Sequence, residues 1–205
     1  MKQIGQGWQY TVYDLGNGRV LKKFHSWLRS YLVILKDIFP FKNDSLSDIP
    51  GFIRDMKSKL DNSLRILRRT DIPQQWFANP HFISPYDFEQ DKVVPLHEAF
   101  RTADSTRQKA IIDQFMHFNV RLLEHGIIDK SFNITKNYGL DKKGEIALID
   151  IGELYDDPVK IAEQIRNRIW RKDYIAGCIG DPDTRAYFIE QMEKHFHSSS
   201  TKENL

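Results

Sequence analysis

Leu122–Leu154, LLEHGIIDKSFNITKNYGLDKKGEIALIDIGEL, carries the densest chemistry in the chain. It sets Asp129, Asn133 and Asp150 among apolar neighbours. Phe132 and Ile134 flank Asn133, and Ala147, Leu148, Ile149 and Ile151 surround Asp150. An acid inside an apolar run is costly unless charged or hydrogen-bonding partners satisfy it. Asp150 is therefore expected to do more than decorate a surface; the plainer alternative is a turn carboxylate that caps nearby amides. Ile128–Asn133 reads as a polar loop. Ile134–Leu140 and Glu145–Ile149 read as short strands joined by the turn Asp141-Lys142-Lys143-Gly144.

Upstream, Ile111, Ile112, Phe115, Phe118, Leu122 and Leu123 give one buried face to a helix expected over Ser105–His125, with Gly126 as its stop. Trp76–Phe100 reads as a strand pair, His81–Phe88 and Lys92–Leu96, split by the polar Glu89-Gln90-Asp91. Pro50-Gly51 opens a helix in which Ile53, Met56, Leu60, Leu64 and Leu67 recur at helical spacing. Ser26–Phe39 reads as a further helix ended by Pro40, and Phe41–Pro50 as a connector. Downstream, Asp157-Pro158 starts a helix through Arg171 and Pro182 another through His195. Ser198–Leu205 reads as a frayed tail.

The amino-terminal part reads as a hairpin. Trp8, Tyr10, Val12 and Tyr13 form one strand, Gly16-Asn17-Gly18 the turn, and Arg19–Phe24 the return. Gly5-Gln6-Gly7 precedes it, with Val12 seven residues after Gly5. That spacing fits G-x-G-x-x-G-x-V except that Tyr10 stands at the third glycine. Glycines let backbone amides approach phosphate without side chains in the way. The dinucleotide-binding use of these letters requires a following helix, whereas here a hairpin follows. Lys22, on the returning strand, would point under the glycine turn, and Lys23 to the opposite face.

Sheet segments first and helices around one small hairpin afterwards make this an α+β chain. A net charge of +2 is too small to argue for nucleic acid or a membrane surface. The basic run Arg166, Arg168, Arg171 and Lys172 beside Trp170 reads as a solvated face. The one cysteine, Cys178, excludes an internal disulfide framework and reads as a small buried hydrophobe. Met1–Tyr10 has no apolar core of a signal peptide, so a cytoplasmic protein is expected, although leaderless secretion would leave no mark.

Taken in order, these segments resemble the protein-kinase and aminoglycoside-phosphotransferase superfamily, over roughly residues 4 to 155. His125–Asn133 resembles its catalytic loop, and Asp150-Ile151-Gly152 its metal-binding Asp-Phe-Gly. Gly5, Gly7, Val12 and Lys22 resemble the glycine loop and phosphate lysine. Val93–Glu98, with Val94 and Leu96, falls at the adenine-binding hinge. The resemblance implies a two-lobed kinase-like fold, with an antiparallel-sheet lobe over residues 1–98 and a reduced helical lobe over 99–205. It implies ATP and Mg²⁺ as cofactors, with Asp150 and Asn133 as metal ligands. Asp129 would accept or orient the proton of the attacking hydroxyl, and Lys130 would steady the phosphoryl group. The acceptor would be a hydroxyl, on a protein rather than a small molecule.

Departures from the pattern are visible. The family's catalytic Asp lies five residues before the Asn, where Ile128 stands; Asp129 lies only four before it. Either the loop is one residue tighter, or the base is missing and the chain is a pseudokinase. His125 is one residue early and reads as a packing residue at the helix end. No Glu occurs between Met1 and Gln75 to pair with Lys22, which leaves Asp61 and Asp55 as candidates. No Ala-Pro-Glu follows Asp150, so the chain resembles a short bacterial-type phosphotransferase more than a regulated signalling kinase.

Overall fold

The computed structural model describes residues 1–37, 48–172, 175 and 179–197. Phe39, the stop at Pro40, most of the Phe41–Pro50 connector, Cys178 and the tail from Ser198 lie outside the described residues. The protein is an α+β chain with a small antiparallel sheet, and it divides into two compact units, Met1–Lys92 and Val93–Leu205. The sequence-based division falls after Glu98. In the structure Val94 pairs with Leu140, which joins residues 93–98 to the second unit.

The first unit is built on five antiparallel strands: β1 (Lys2–Gln6), β2 (Tyr10–Asp14), β3 (Arg19–Phe24), β4 (His81–Phe82) and β5 (Phe88–Asp91), in the order β1-β2-β3-β5-β4. The β2–β3 turn needs its glycines: Gly16 and Gly18 have φ of 79° and 80°, a region closed to most side chains. Asp14 accepts from the Gly16 amide and Asn17 from the Arg19 amide, which close the turn from either side. β1 was not anticipated; its residues are mostly exposed, so no alternating apolar pattern betrays it.

Glu89-Gln90-Asp91, expected as a connector, is strand β5 itself. Its polar residues are satisfied individually. Arg19 bonds Glu89 at 3.1 Å and Asp91 at 2.8 Å across the sheet, and the buried Gln90 amide donates to the Phe77 carbonyl. Polarity signals a loop only when the sheet supplies no partners, and here it does.

Two helices, α1 (Trp27–Asp37) and α2 (Ile49–Leu67), pack together through Ile34 on one and Ile49, Ile53 and Met56 on the other, with Tyr31, Leu35 and Phe52 partly buried against them. Pro50 in the first turn of α2 loses no hydrogen bond, because that amide has no partner inside the helix.

The second unit begins with β6 (Val94–Pro95) and α3 (Leu96–Thr102), followed by the central helix α4 (Ser105–Glu124). Asp104 caps α4 by accepting from the Arg107 amide, and His125 ends it. Ile111, Ile112, Phe115, Phe118 and Leu122 supply its buried face, as their spacing predicts. Beyond it lie β7 (Ile128–Asp129), α4's follower α5 (Ile134–Asn137), β8 (Tyr138–Leu140), β9 (Ile146–Leu148) and β10 (Leu154–Tyr155). β6, β8 and β9 form one small sheet, and β7 pairs with β10. Gly139 lets β8 lie against β6: a Cβ there would collide with the Val93 side chain and stand 2.9 Å from the Val94 carbonyl.

Two local expectations fail here. Ile128–Asp129 is strand rather than loop, and Ile134–Asn137 is a helical turn rather than strand. Asn133 caps that turn, and a residue that can cap overrides the β-branched preference of Ile134 and Thr135. The closing helices are α6 (Pro158–Arg166) and α7 (Pro182–Met192), both shorter than expected. The first gives way to a short 3₁₀ turn, Ile169–Arg171, and the second to a π turn, Glu193–His197. In the basic run, Arg168 and Arg171 converge on Glu193, at 3.4 and 2.7 Å, instead of facing solvent alone. No helix among the described residues is long and apolar enough to cross a membrane.

Candidate functional site

The second unit brings Asp129, Asn133 and Asp150 together through a residue the sequence reading missed, Asn137. Its side-chain amide donates to both Asp129 oxygens, at 3.1 and 3.0 Å, and to the Ser131 hydroxyl. Its backbone carbonyl accepts from the amides of Ile149 and Asp150, at 2.7 and 3.1 Å. One residue thus ties the Asp129 loop to the Asp150 loop. The signal for it was thin: an asparagine before the apolar Tyr138, in a stretch read as strand.

The Asp129 carboxylate is 1% exposed. Besides Asn137 it accepts from the Ser131 amide and hydroxyl and from the Asn133 amide. Burial is the main influence on it and pushes its pKa up to about 7; the nearby Asp150 charge adds to the rise, while the Asn137, Ser131 and Asn133 bonds oppose it. The carboxyl therefore changes protonation state near neutrality. Tyr138, buried beside it, donates its hydroxyl to Asn119 at 2.9 Å, and burial holds that hydroxyl well above its usual pKa.

The loop between Asp129 and Asn133 is tight because Phe132 adopts φ of 49°, a left-handed conformation rare for a bulky residue. Its ring is fully buried against Trp170 and Phe196, with centroids 6.0 and 5.1 Å away. Packing offsets a backbone cost of about 1–3 kcal/mol.

Asn133 is buried, and its side-chain oxygen accepts from the Thr135 hydroxyl and the Lys136 amide at 3.2 and 3.3 Å. Both lone pairs are thus used within the short helix. Asp150 is exposed, and its carboxylate accepts from the Gly152 amide at 3.4 Å. Lys130 pairs with Glu153 at 2.7 Å, alongside a backbone bond between the same residues. Val94 is half exposed on β6, whereas Leu96 is fully buried at the start of α3 and serves the core of this unit.

In the first unit, Gly5, Val12, Lys22 and Phe88 stand directly opposite one another on β1, β2, β3 and β5. Lys22 is only 9% exposed, and its ammonium lies 5.8 Å from the Phe88 ring centre. A cation over an aromatic face gains electrostatic stabilisation. A Cβ on Gly5 would make ordinary contact with Val12, and one on Gly7 would meet nothing. The Gly7 amide donates to the Tyr10 carbonyl at 2.8 Å, closing the turn between β1 and β2. Tyr10, at the third-glycine position, is a core residue: its ring packs edge-on against Phe24 and Phe88 and its hydroxyl donates to the Tyr86 carbonyl. The two acids considered for Lys22 bond along their own helix, Asp61 with Lys57 and Asp55 with Lys59.

Among the described residues no three His, Cys, Asp or Glu side chains gather into a metal cluster. Magnesium does not need one: it binds through one or two carboxylates, several waters and substrate phosphates. The exposed Asp150 suits that mode. Asn133 suits it only if its cap on α5 opens.

No family model matches the chain, and no curated protein matches it. Among solved structures it is similar to the complex of Rv3197 with erythromycin from Mycobacterium tuberculosis, at 15% identity and a TM-score of 0.46. The match covers 87% of this chain and 53% of that one, so this chain spans about half the length of that protein.

Proposed function

We propose that this protein is an ATP- and magnesium-dependent phosphotransferase acting on a hydroxyl, on a protein in preference to a small molecule. The supporting observation is the Asp129–Asp150 pair: a buried carboxyl that titrates near neutrality, and an exposed carboxylate whose charge reaches it. Like charges held together this way are stabilised by a cation.

Asp150 would hold the ion, with Asn133 joining only when its cap opens; the ion, when bound, offsets charge on the transferring phosphoryl group. Asp129, once ionised and uncovered, would take or orient the proton of the attacking hydroxyl as the new O–P bond forms and ADP leaves. Lys130 would reach the phosphoryl group by exchanging Glu153 for phosphate. Lys22, buried opposite Val12, which itself stands opposite Gly5, suits contact with nucleotide phosphates, which an ammonium neutralises as a point charge.

The test is incubation with labelled ATP and magnesium. Self-labelling, ATP hydrolysis or transfer to lysate proteins is expected; absence of all three at high protein concentration sinks the proposal. A second reading, a nucleotide-binding module without transfer, is favoured by Ile128 at the usual base position. It is also favoured by the enclosure of both Asp129 oxygens by Ser131, Asn133 and Asn137. It requires nucleotide binding without turnover, unchanged in Asp129→Ala.

A further inference from the structure

His25 lies just past β3 and is 2% exposed, and everything it bonds belongs to the glycine turn or the strand beside it. Its backbone amide donates to the Gln9 carbonyl at 2.9 Å. Its Nδ1 lies 3.0 Å from the Trp8 carbonyl, and its Nε2 lies 2.9 Å from the Thr11 hydroxyl. A carbonyl can only accept, so Nδ1 carries the hydrogen. Nε2 of the neutral ring then accepts from Thr11, itself 1% exposed. Both ring nitrogens are used: the Nδ1–H bond serves the neutral and the charged ring alike, while acceptance at Nε2 belongs to the neutral ring. Burial, with a smaller contribution from the Arg29 charge, holds the ring below its usual pKa, which favours that form.

The turn is gripped from a second side by α2. The Trp8 ring packs edge-on against Phe52 with centroids 5.8 Å apart, and the Gln9 side chain donates to the Met56 carbonyl at 3.4 Å. Trp8 remains 47% exposed, so the turn is anchored by its backbone more than by burial. A turn entered through a glycine samples more conformations unless it is tied, and each conformation that must be lost on binding weakens affinity.

We infer that His25 is a positioning residue that fixes the Gly7–Tyr10 turn in the conformation that receives the phosphates of a nucleotide. The inference rests on the phosphotransferase reading for its ligand, but the fixing of the turn is independent of it. Thr11 completes the device by tying the far nitrogen of the ring to β2, while the Trp8 carbonyl fixes the tautomer.

Three proteins decide it: the parent chain, His25→Phe, which keeps the ring and removes both bonds, and His25→Asn, whose amide can still donate to the Trp8 carbonyl. Amide hydrogen exchange at Gly7 to Tyr10, without nucleotide, is expected to quicken in His25→Phe and to be largely restored in His25→Asn. Affinity for a non-hydrolysable ATP analogue with magnesium is expected to fall about tenfold in His25→Phe, with partial recovery in His25→Asn. A folded His25→Phe with parental exchange in the turn overturns the positioning role. Parental affinity with quickened exchange overturns the link to phosphate binding. If the parent chain binds no analogue, the phosphotransferase reading falls, and the exchange data alone decide whether His25 fixes the turn. If His25→Phe does not fold, exchange and affinity in His25→Asn decide: values no closer to the parent's than those of Thr11→Val overturn the inference.

Discussion

Asn137 donates from one side-chain nitrogen to both carboxylate oxygens of Asp129, while its own carbonyl receives the amides of Ile149 and Asp150. The buried acid and the backbone of the exposed acid are therefore held by the same residue.

Asn137→Ala removes the side-chain half of that link. Asp129 loses its strongest opposing donor, so its pKa rises further and the ionised form becomes harder to bury. The expected loss is about 1–3 kcal/mol, larger at pH 8.5 than at pH 6, because only the ionised carboxylate suffers the full deficit. Urea unfolding at the two pH values measures it; an equal loss at both would count against this account.

The parent chain should itself lose stability as pH rises through this region. The Asp129 pKa moves from the ordinary aspartate value of 3.8 to about 7 on folding, so the folded state binds the proton more tightly. Between those values the folded chain holds more protons than the unfolded chain, and the unfolding free energy falls with rising pH. Above about 7 both states are ionised and the contribution is flat. Asp129→Asn should remove this slope, which denaturation midpoints between pH 4.5 and pH 8 will show.

How far the sequence revealed this arrangement depends on the length scale of each signal. The face of α4 was legible because its apolar residues repeat at helical spacing over many turns. The β2–β3 hairpin was legible because its turn, Gly16-Asn17-Gly18, has a local signature, and that turn places Val12 opposite Lys22; the strand that carries Gly5 was not. Strand β5 was missed because its stability lies in partners distant in sequence: Arg19 for its acids, the Phe77 carbonyl for Gln90. Asn137 was missed for the same reason. Its value is a set of bonds to residues 129, 131, 149 and 150, and no local pattern encodes them. The left-handed Phe132 between Asp129 and Asn133 had no signal in the sequence, because a bulky residue gives no hint of a positive φ.

Phe132 makes its own prediction. Phe132→Ala empties a ring-sized space between Trp170 and Phe196 and should cost about 3–5 kcal/mol. Phe132→Gly relieves the backbone strain while creating a similar space, so its loss should be no greater than that of the alanine variant. In most buried positions glycine is the worse of the two. Thermal unfolding of the pair checks this reversal.

Lys22→Met keeps the length and apolar stem of the lysine over the Phe88 ring but removes the charge. Binding of an ATP analogue should weaken about tenfold to a hundredfold, the range for a lost charge-assisted hydrogen bond. Calorimetric titration distinguishes this from a lysine whose role is confined to the sheet, for which binding would be unchanged.

Asp150→Asn separates the metal role from the structural one. The substitution leaves the backbone bond from the Asp150 amide to Asn137 in place and removes the charge that raises Asp129. The Asp129 titration, followed by carboxyl NMR, should move down from its position near neutrality, because a repulsive neighbour is gone. Magnesium should in parallel cease to strengthen binding of the ATP analogue, since the exposed carboxylate that suits the ion is lost. A downward shift with magnesium dependence intact would keep the electrostatic pair and remove Asp150 from the metal site.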